Sequence, residues 1–182
     1  MNRLLLIAPI PEYKEAVLVY KEAFVKQNDT LHGTAGLDRA ENYEEWLRQL
    51  LDNEKEATVA EGLVPASTFL AVTQNKGRLV GMIDIRHRLT DYLKQFGGHI
   101  GYSIAPAERR KGYAKEMLAL ALTECRNLNL NRVLITCNKS NPASAKTILS
   151  NGGKLENEIV EVKEAPETKE IIQRYWIDLK KD

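Results

Sequence analysis

The sequence carries almost no net charge: it has 26 basic and 25 acidic residues, and its formal charge is +1. Such a close balance creates no overall field that would draw the chain onto nucleic acid or an anionic membrane surface. Positive charge would have to be concentrated locally for a polyanion to bind. We therefore expect neither a nucleic acid nor a membrane as a partner.

Cysteine is scarce and long apolar runs are missing. Cys125 and Cys137 lie on apolar segments without metal-ligand spacing, which favours buried thiols in a reducing compartment over a disulfide, a reactive thiol or a metal site. No apolar run reaches the roughly 18 residues of a membrane span. The apolar run from Leu4 to Ala8 is too short for a signal peptide and predicts a first strand instead. We expect a cytoplasmic protein.

The length of 182 residues suits a single domain over residues 1–182. Apolar periodicity and turn residues predict the element order β-α-α-β-β-β-α-β-α-β-β. The long helix from Gly112 to about Asn127 joins strands at 99–104 and 132–137, and a right-handed crossover would make these two strands parallel. A turn at Pro166 joins the last two strands. We therefore predict an α/β fold with a mixed, mostly antiparallel central sheet and helices on both faces.

The most informative segment is Arg109-Arg110-Lys111-Gly112-Tyr113-Ala114, which lies between a predicted strand and a predicted helix. It matches the pattern Gln/Arg-x-x-Gly-x-Gly/Ala. The first N–H groups of a helix lack partners and the helix dipole is positive there, so an anion binds well. Gly112 lets a phosphate approach the backbone, Ala114 keeps the next turn small, and the three basic residues add local charge. The segment predicts a pyrophosphate site, and the alternative is a solvated cationic loop.

Two segments together resemble a known family. Gly98–Ala114, with the sequence GHIGYSIAPAERRKGYA, resembles the coenzyme-A-binding motif of the GCN5-related N-acetyltransferases, and in particular a subgroup of bacterial acetyltransferases. Asn141-Pro142-Ala143-Ser144 resembles that family's Asn-x-x-Ser at the start of the next helix. The predicted element order agrees with the family over nearly the whole chain. The resemblance implies N-acetylation of an amine, with acetyl-CoA as the co-substrate.

The resemblance also implies where acetyl-CoA binds. In the family, the strand before the motif splays away from the next parallel strand, and the pantetheine arm fills the gap. Main-chain groups of that strand would contact the pantetheine and the thioester, and amides at the helix start would bind the pyrophosphate. The cofactor-binding residues implied are Tyr102, Ser103, Ile104, Arg109, Arg110, Lys111, Gly112, Tyr113, Ala114, Lys115, Asn141 and Ser144. Relatives are commonly dimers, so a homodimer is one expectation.

Direct attack by the amine needs a base, a polarised thioester and a leaving thiolate. The sequence offers His99 as the base, with relay through water from Asp84 as the alternative, and a backbone N–H near Tyr102 as the oxyanion donor. His99 and Tyr102 are thus the predicted catalytic residues, although their odd spacing places them on opposite faces of a regular strand. Packing is the alternative role for each. The tyrosine that many family members use as the acid is replaced by Ile148.

Several functional alternatives stay open at this level. The missing tyrosine fits a catalytically silent coenzyme-A-binding sensor, and another acyl donor or an oxygen acceptor fits the same motif. Acceptor specificity would lie in the Asn28–Pro65 region and the final hairpin, where the sequence shows no chemical signature. Trp46 and Tyr43 are candidates for an acceptor pocket or for the core. The basic run that starts at Arg86 would attract an acidic acceptor or form a solvated strand end.

Overall fold

The computed structural model describes residues 3–164 and 167–179. Within these residues the chain forms seven β-strands and four α-helices in the predicted order. In chain order they are β1 (Leu4–Ile7), α1 (Lys14–Lys26), α2 (Tyr43–Asn53), β2 (Ala66–Thr73), β3 (Leu79–Arg86), β4 (Ile100–Ile104), α3 (Tyr113–Asn127), β5 (Arg132–Asn138), α4 (Pro142–Leu149), β6 (Lys154–Glu164) and β7 (Glu167–Asp178). The turn predicted at Pro166 lies outside the described residues.

Local sequence signals explain where the helices begin. Asn42 caps α2, because its side chain accepts a hydrogen bond from Glu45 N at 2.9 Å. Asn141 caps α4 in the same way through Ser144 N at 3.1 Å. α3 follows Gly112, which adopts a left-handed conformation with φ of 83°, and no described side chain caps this helix. The first N–H groups of α3 are therefore free for another partner.

The strands form two antiparallel sheets with the orders β1-β2-β3-β4 and β5-β7-β6. The turn Asn75-Lys76-Gly77 joins β2 and β3, which pair as the predicted hairpin. On β4, Tyr102 lies opposite Ile83 of β3, and on β6, Glu161 lies opposite Glu170 of β7. The predicted α/β class with mostly antiparallel strands is confirmed.

Two hydrophobic cores hold the helices against the strands. One core packs α3 onto its neighbouring strands, and Met117, Leu118 and Cys125 are among its buried members. The other packs α1 and α2 onto β2 and β3 through residues that include Phe24 and Trp46. Burial raises the pKa of the Cys125 thiol to about 12, so this thiol is unreactive at neutral pH. None of the described helices is long and apolar enough to cross a membrane.

The two sheets meet at His99, just before β4. The main-chain N–H of His99 donates to Leu134 O at 2.7 Å, and the main-chain N–H of Leu134 donates to Nδ1 of the His99 ring at 2.9 Å. Within the described residues, β4 and β5 share no ladder and each belongs to its own sheet. The parallel, splayed arrangement of β4 and β5 therefore stays a prediction. In that arrangement the two strands are joined at the His99–Leu134 contact and separate beyond it.

We predict that His99 makes the fold sensitive to acid. The side chain is 7% exposed, and burial lowers its pKa from 6.5 to about 4. A pKa that is lower in the folded state gives stability that is fully present above pH 6.5 and is lost as the pH falls toward 4. His99→Asn keeps an acceptor for Leu134 N but has no ring to protonate. Between neutral pH and pH 4, its free energy of unfolding should therefore fall by about 3 kcal/mol less than that of the unmodified chain.

Urea unfolding near neutral pH and near the lowered pKa measures the free energies of unfolding that the prediction compares. His87→Asn is the comparison variant. Burial also lowers the pKa of His87, but this ring is only half-buried, so removing it should abolish a smaller part of the acid-dependent loss. An acid-dependent loss of the same size in His99→Asn and the unmodified chain would contradict the prediction.

Candidate functional site

The edge of β4 that faces β5 carries unpaired main-chain groups. At one end of the β3–β4 ladder, Arg86 N donates to His99 O at 2.8 Å. At the other end, Ala105 N donates to Val80 O at 2.9 Å. Hydrogen-bonding residues alternate along an antiparallel strand. The N–H and C=O groups of Tyr102 therefore point away from β3, into the gap.

The facing edge of β5 is open in the same way. Lys139 N donates to Ile171 O at 2.8 Å at the end of the β5–β7 ladder. Alternation then directs the main-chain groups of Thr136 and Asn138 toward β4. These unpaired edges line the gap with amide donors and acceptors. An extended ligand with amide groups of its own can pair with them.

A cavity of about 580 Å³ opens between the end of β4, the start of α3 and the start of α4, and we call it the α3 cavity. Every cofactor-binding residue implied by the sequence, except Lys111, lines this cavity. These are Tyr102, Ser103, Ile104, Arg109, Arg110, Gly112, Tyr113, Ala114, Lys115, Asn141 and Ser144. The structure thus brings the two sequence motifs to one place.

The start of α3 forms the polar end of the α3 cavity. Gly112 has a φ of 83° and Arg110 has a φ of 61°, so both adopt the left-handed conformation. This conformation costs a residue other than glycine about 1 kcal/mol, so the turn at Arg110 is strained. The N–H groups of residues 113–115 have no carbonyl partner within the helix. Free N–H groups and the positive end of the helix dipole are features that favour binding of an anion such as a phosphate.

Ion pairs reduce the positive charge that the sequence predicts at this site. Arg109 lies 2.6 Å from Asp29, and its hydrogen bond lowers the pKa of that carboxyl. Lys111 lies 3.0 Å from the buried carboxylate of Glu108. Of the three basic residues, only Arg110 has no ion pair among the described residues. The site therefore depends on main-chain donors more than on side-chain charge.

A second cavity of about 590 Å³ is bounded by the β6–β7 hairpin, and we call it the hairpin cavity. Its ionisable side chains come from distant parts of the chain. Apart from Cys137 they are His32, Arg86, Tyr92, Tyr102, Glu161, Lys163 and Glu170. Among the described residues, no three His, Cys, Asp or Glu side chains are arranged to hold a metal ion. The sequence analysis named three of its parts separately, as the Asn28–Pro65 region, the run that starts at Arg86 and the final hairpin, but no spacing in the sequence shows that they line one cavity.

Tyr102 and Ser144 line both cavities and mark the boundary between them. The Tyr102 hydroxyl lies 2.9 Å from Ser144 Oγ, a contact that spans the distance between β4 and α4. Burial raises the pKa of Tyr102 to about 12, so its hydroxyl stays protonated at neutral pH. A ligand that extends through the α3 cavity meets this hydroxyl before it reaches the hairpin cavity.

His32 also lines both cavities, on a loop that is clamped to β4. Ser103 Oγ donates to His32 O at 2.6 Å. Next to it, Gly33 has a φ of 69°, and a Cβ there would lie only 2.2 Å from Gly101 O. His32 is exposed to solvent, but partial desolvation by its neighbours lowers the pKa of the ring below 6.5, so the ring can accept a proton at neutral pH. Sequence reasoning did not identify His32.

The candidate bases named from the sequence lie elsewhere. Neither His99 nor Asp84 lines either cavity. His99 Nδ1 already accepts the Leu134 N–H, and the buried Asp84 accepts a hydrogen bond from Thr68 Oγ1 at 2.8 Å. The structure therefore does not bring His99 and Tyr102 to one site, as their odd spacing on the strand indicates.

Three further residues that the sequence analysis named, at the acid position or as candidates for an acceptor pocket, lie in the core. Ile148 is fully buried, so no acid stands at the family's usual tyrosine position. Tyr43 and Trp46 are also buried and line neither cavity, so they pack in the core and do not form an acceptor pocket. Trp46 still positions the loop of His32, because its Nε1 donates to Thr34 O at 2.8 Å.

Comparison with known proteins adds independent findings. The family model described as an acetyltransferase (GNAT) domain matches residues 3–154. No curated protein matches the sequence. Solved structures do match it over nearly its full length.

A GNAT-family acetyltransferase from Bacillus anthracis is 19% identical with a TM-score of 0.66, covering 99% of this chain and 97% of that one. The dodecameric spermidine N-acetyltransferase from Vibrio cholerae is 17% identical with a TM-score of 0.64, covering 97% and 94%. The microcin C7 self-immunity acetyltransferase MccE, solved with acetyl-CoA and AMP, is 18% identical with a TM-score of 0.66, covering 98% and 93%. At these identities the structural matches establish the fold.

Gly33→Ala should displace the loop that carries His32. The added Cβ would collide with Gly101 O, so the loop must lift from β4. Gly62→Ala is the matched control, because Gly62 has a similar φ of 81° and nothing lies within 4 Å of its Cβ position. Both variants carry the cost of a left-handed alanine, about 1 kcal/mol, and Gly33→Ala should be destabilised by about 2 kcal/mol more. Urea unfolding of both variants measures this difference. Equal free energies of unfolding would show that the close approach of Gly33 to Gly101 does not hold the loop against β4.

Proposed function

Since the chain belongs to the GNAT family of acetyltransferases, we propose that it transfers an acetyl group from acetyl-CoA to an amine by direct attack in a ternary complex. The supporting observation is the meeting of two cavities at Tyr102 and Ser144, one of which has an anion site at its far end. The α3 cavity suits the donor and the hairpin cavity suits the acceptor. In this proposal residues 1–182 form a single cytoplasmic domain, and a homodimer is compatible with it.

The donor is proposed to enter with its pyrophosphate on the main-chain amides of residues 110–115, beside Arg109. The pantetheine arm carries two amides, which can pair with the unpaired strand edge at Tyr102, in the α3 cavity, and can reach that at Thr136 where the two cavities meet. Asn141 Oδ1 already caps α4, so its Nδ2 is the group available to hold the arm. The thioester then lies next to Tyr102.

We assign proton transfer to His32 rather than His99, because His32 lines both cavities and its ring is neutral. In the proposed step the amine nitrogen attacks the thioester carbonyl carbon, so a C–N bond forms and the C–S bond breaks. His32 accepts the proton that the nitrogen loses, and sulfur leaves as the thiolate of coenzyme A. The main-chain N–H of Tyr102, which points into the gap, stabilises the oxyanion.

The Tyr102 hydroxyl is proposed to solvate the leaving sulfur. A thiolate whose conjugate acid has a pKa of about 8.5 is too weak a base to deprotonate a phenol with a pKa of about 12. The hydroxyl therefore donates a hydrogen bond and keeps its proton. No separate acid is required at Ile148, because expulsion as thiolate near neutral pH costs only about 2 kcal/mol relative to the protonated thiol.

A catalytically silent coenzyme-A sensor is the second candidate, and the core position of Ile148 favours it. The hairpin cavity favours an enzyme, because a sensor needs no acceptor site. Steady-state release of free coenzyme A separates the two, measured with amine and alcohol acceptors and with acetyl-CoA and longer acyl donors. Turnover with acetyl-CoA and an amine supports the proposal. Donor binding without turnover, or a preference for alcohols or longer acyl groups, argues against it.

Arg109→Gln should weaken acetyl-CoA binding roughly tenfold without abolishing it, because main-chain amides supply most of the anion contacts. Isothermal titration calorimetry with acetyl-CoA measures the change in Kd. Arg48→Gln on α2 is the control, since Arg48 is exposed and lines neither cavity. Unchanged affinity in Arg109→Gln, or equal weakening in both variants, would show that the Arg109 side chain does not contact the diphosphate.

His32→Asn should lower kcat/KM by about 100-fold while leaving acetyl-CoA affinity unchanged. The neutral ring is the active form, so kcat/KM of the unmodified enzyme should fall as the pH drops through the His32 pKa, which lies below 6.5. The variant should lose this acidic limb. His87→Asn and His99→Asn are controls, because neither residue lines a cavity. An unchanged profile in His32→Asn, or loss of the limb in His99→Asn, would remove His32 from the mechanism.

A further inference from the structure

Arg86 presents one unoccupied guanidinium nitrogen at the hairpin cavity. Its Nη1 donates to Gly97 O at 3.2 Å and to Gly98 O at 3.0 Å. These bonds tie the guanidinium to the turn before β4 and fix its orientation. Among the described residues Nη2 has no hydrogen-bond partner, and the side chain is 26% exposed where it lines the cavity. A guanidinium held in this way is preorganised to bind an oxyanion.

The surroundings of Nη2 leave room for a ligand. A Cβ at Gly101 would lie 3.9 Å from Arg86 Nη2, so a longer side chain at this position would reach the guanidinium. Asp84 Oδ2 lies 4.0 Å from Arg86 Nε, and Asp84 Oδ1 accepts a hydrogen bond from Thr68. The Asp84 carboxylate offsets part of the Arg86 charge, but its contact is at Nε and leaves Nη2 free to donate.

The acidic side chains of the hairpin cavity already have partners. Glu170 lies 2.7 Å from Lys163 Nζ, and Glu161 accepts a hydrogen bond from the Tyr92 hydroxyl at 2.8 Å. A polyamine would need unpaired carboxylates to bind its several positive charges. Glu170 is thus ion-paired, whereas Glu161 has only the neutral Tyr92 hydroxyl as a partner among the described residues. The cavity therefore offers a single carboxylate without a cationic partner, too few for a polyamine, beside one guanidinium nitrogen that lacks a hydrogen-bond partner.

We propose that the acceptor is a small amine that bears a carboxylate, such as an amino acid, and that Arg86 Nη2 binds this carboxylate. The inference rests on the proposed function, since it assigns the acceptor of the same acetyl transfer. The aromatic pair Tyr92 and Phe96, with ring centroids 5.4 Å apart, lines the cavity and offers an apolar wall for the rest of the acceptor. The amine end lies toward His32 and Tyr102, where the two cavities meet.

Matched acceptors test the inference. Coenzyme A release is measured with leucine and leucinamide, with phenylalanine and phenylalaninamide, and with spermidine. The amide of each pair keeps the amine and side chain but lacks the carboxylate. We expect kcat/KM to be roughly 30-fold or more higher for the acids, because a preorganised guanidinium binds the carboxylate and finds no such partner in the amide analogue. A preference for the amides or for spermidine overturns the inference.

Arg86→Gln should abolish this preference by lowering kcat/KM for the acids roughly 30-fold while changing the amides little. Arg88→Gln is the matched control, because Arg88 is two residues away on the same segment, is paired with Glu56 at 2.6 Å and lines neither cavity. Arg86→Lys keeps the charge and should retain only part of the preference. Equal losses of kcat/KM for acids and amides in Arg86→Gln would show that Arg86 only stabilises the turn before β4 and does not bind the carboxylate.

The test also separates this inference from the proposed function. The preference of the unmodified enzyme tests it even where a variant fails to fold, and acetyl-CoA calorimetry on each variant reports whether the donor site is intact. Turnover of amines without a carboxylate preference overturns the acceptor assignment alone. Acetyl-CoA binding without turnover of any amine overturns both.

Discussion

The structure depends on the separation of β4 from β5 beyond the His99–Leu134 contact. Two strand edges that do not pair leave main-chain donors and acceptors without partners, which costs free energy unless another molecule supplies the hydrogen bonds. The buried His99 ring closes one end of the gap by accepting the Leu134 N–H. At the open end, the uncapped start of α3 lines the same space. A ligand with an anionic end and an amide-bearing arm satisfies both sets of groups.

Contacts from two directions hold other parts of the chain against this gap, where we propose that the reaction takes place. The Tyr102–Ser144 contact joins β4 to α4 on one side. On the other side, the close approach of Gly33 to Gly101 holds the loop of His32 against β4. The same loop reaches the anion site, since Asp29 pairs with Arg109 at its edge. One loop therefore contacts both the proposed donor site and the proposed acceptor site, and the proposed proton transfer to His32 takes place on this loop.

Features set by local pattern can be predicted from the sequence, and features set by tertiary packing cannot. The element order depends on residues close together in the chain, and so does the uncapped start of α3 after Gly112, where the anion site is proposed. His32 and Arg86 line one cavity only in the folded chain. The sequence offers Arg86 as a candidate for binding an acidic acceptor, but no spacing connects it with His32. The sequence overstates the charge at the anion site for the same reason, because Asp29 pairs with Arg109 across 80 positions. The intrinsic basicity of His99 is misleading, since burial lowers its pKa to about 4.

A crystal structure of the chain with acetyl-CoA tests the central claim most directly. We predict that the diphosphate lies within about 3 Å of main-chain N–H groups at residues 112–115. The pantetheine should lie between β4 and β5, with the acetyl carbonyl beside Tyr102 and open to the hairpin cavity. Acetyl-CoA bound outside the gap, or an acetyl group that points away from the hairpin cavity, would contradict the account.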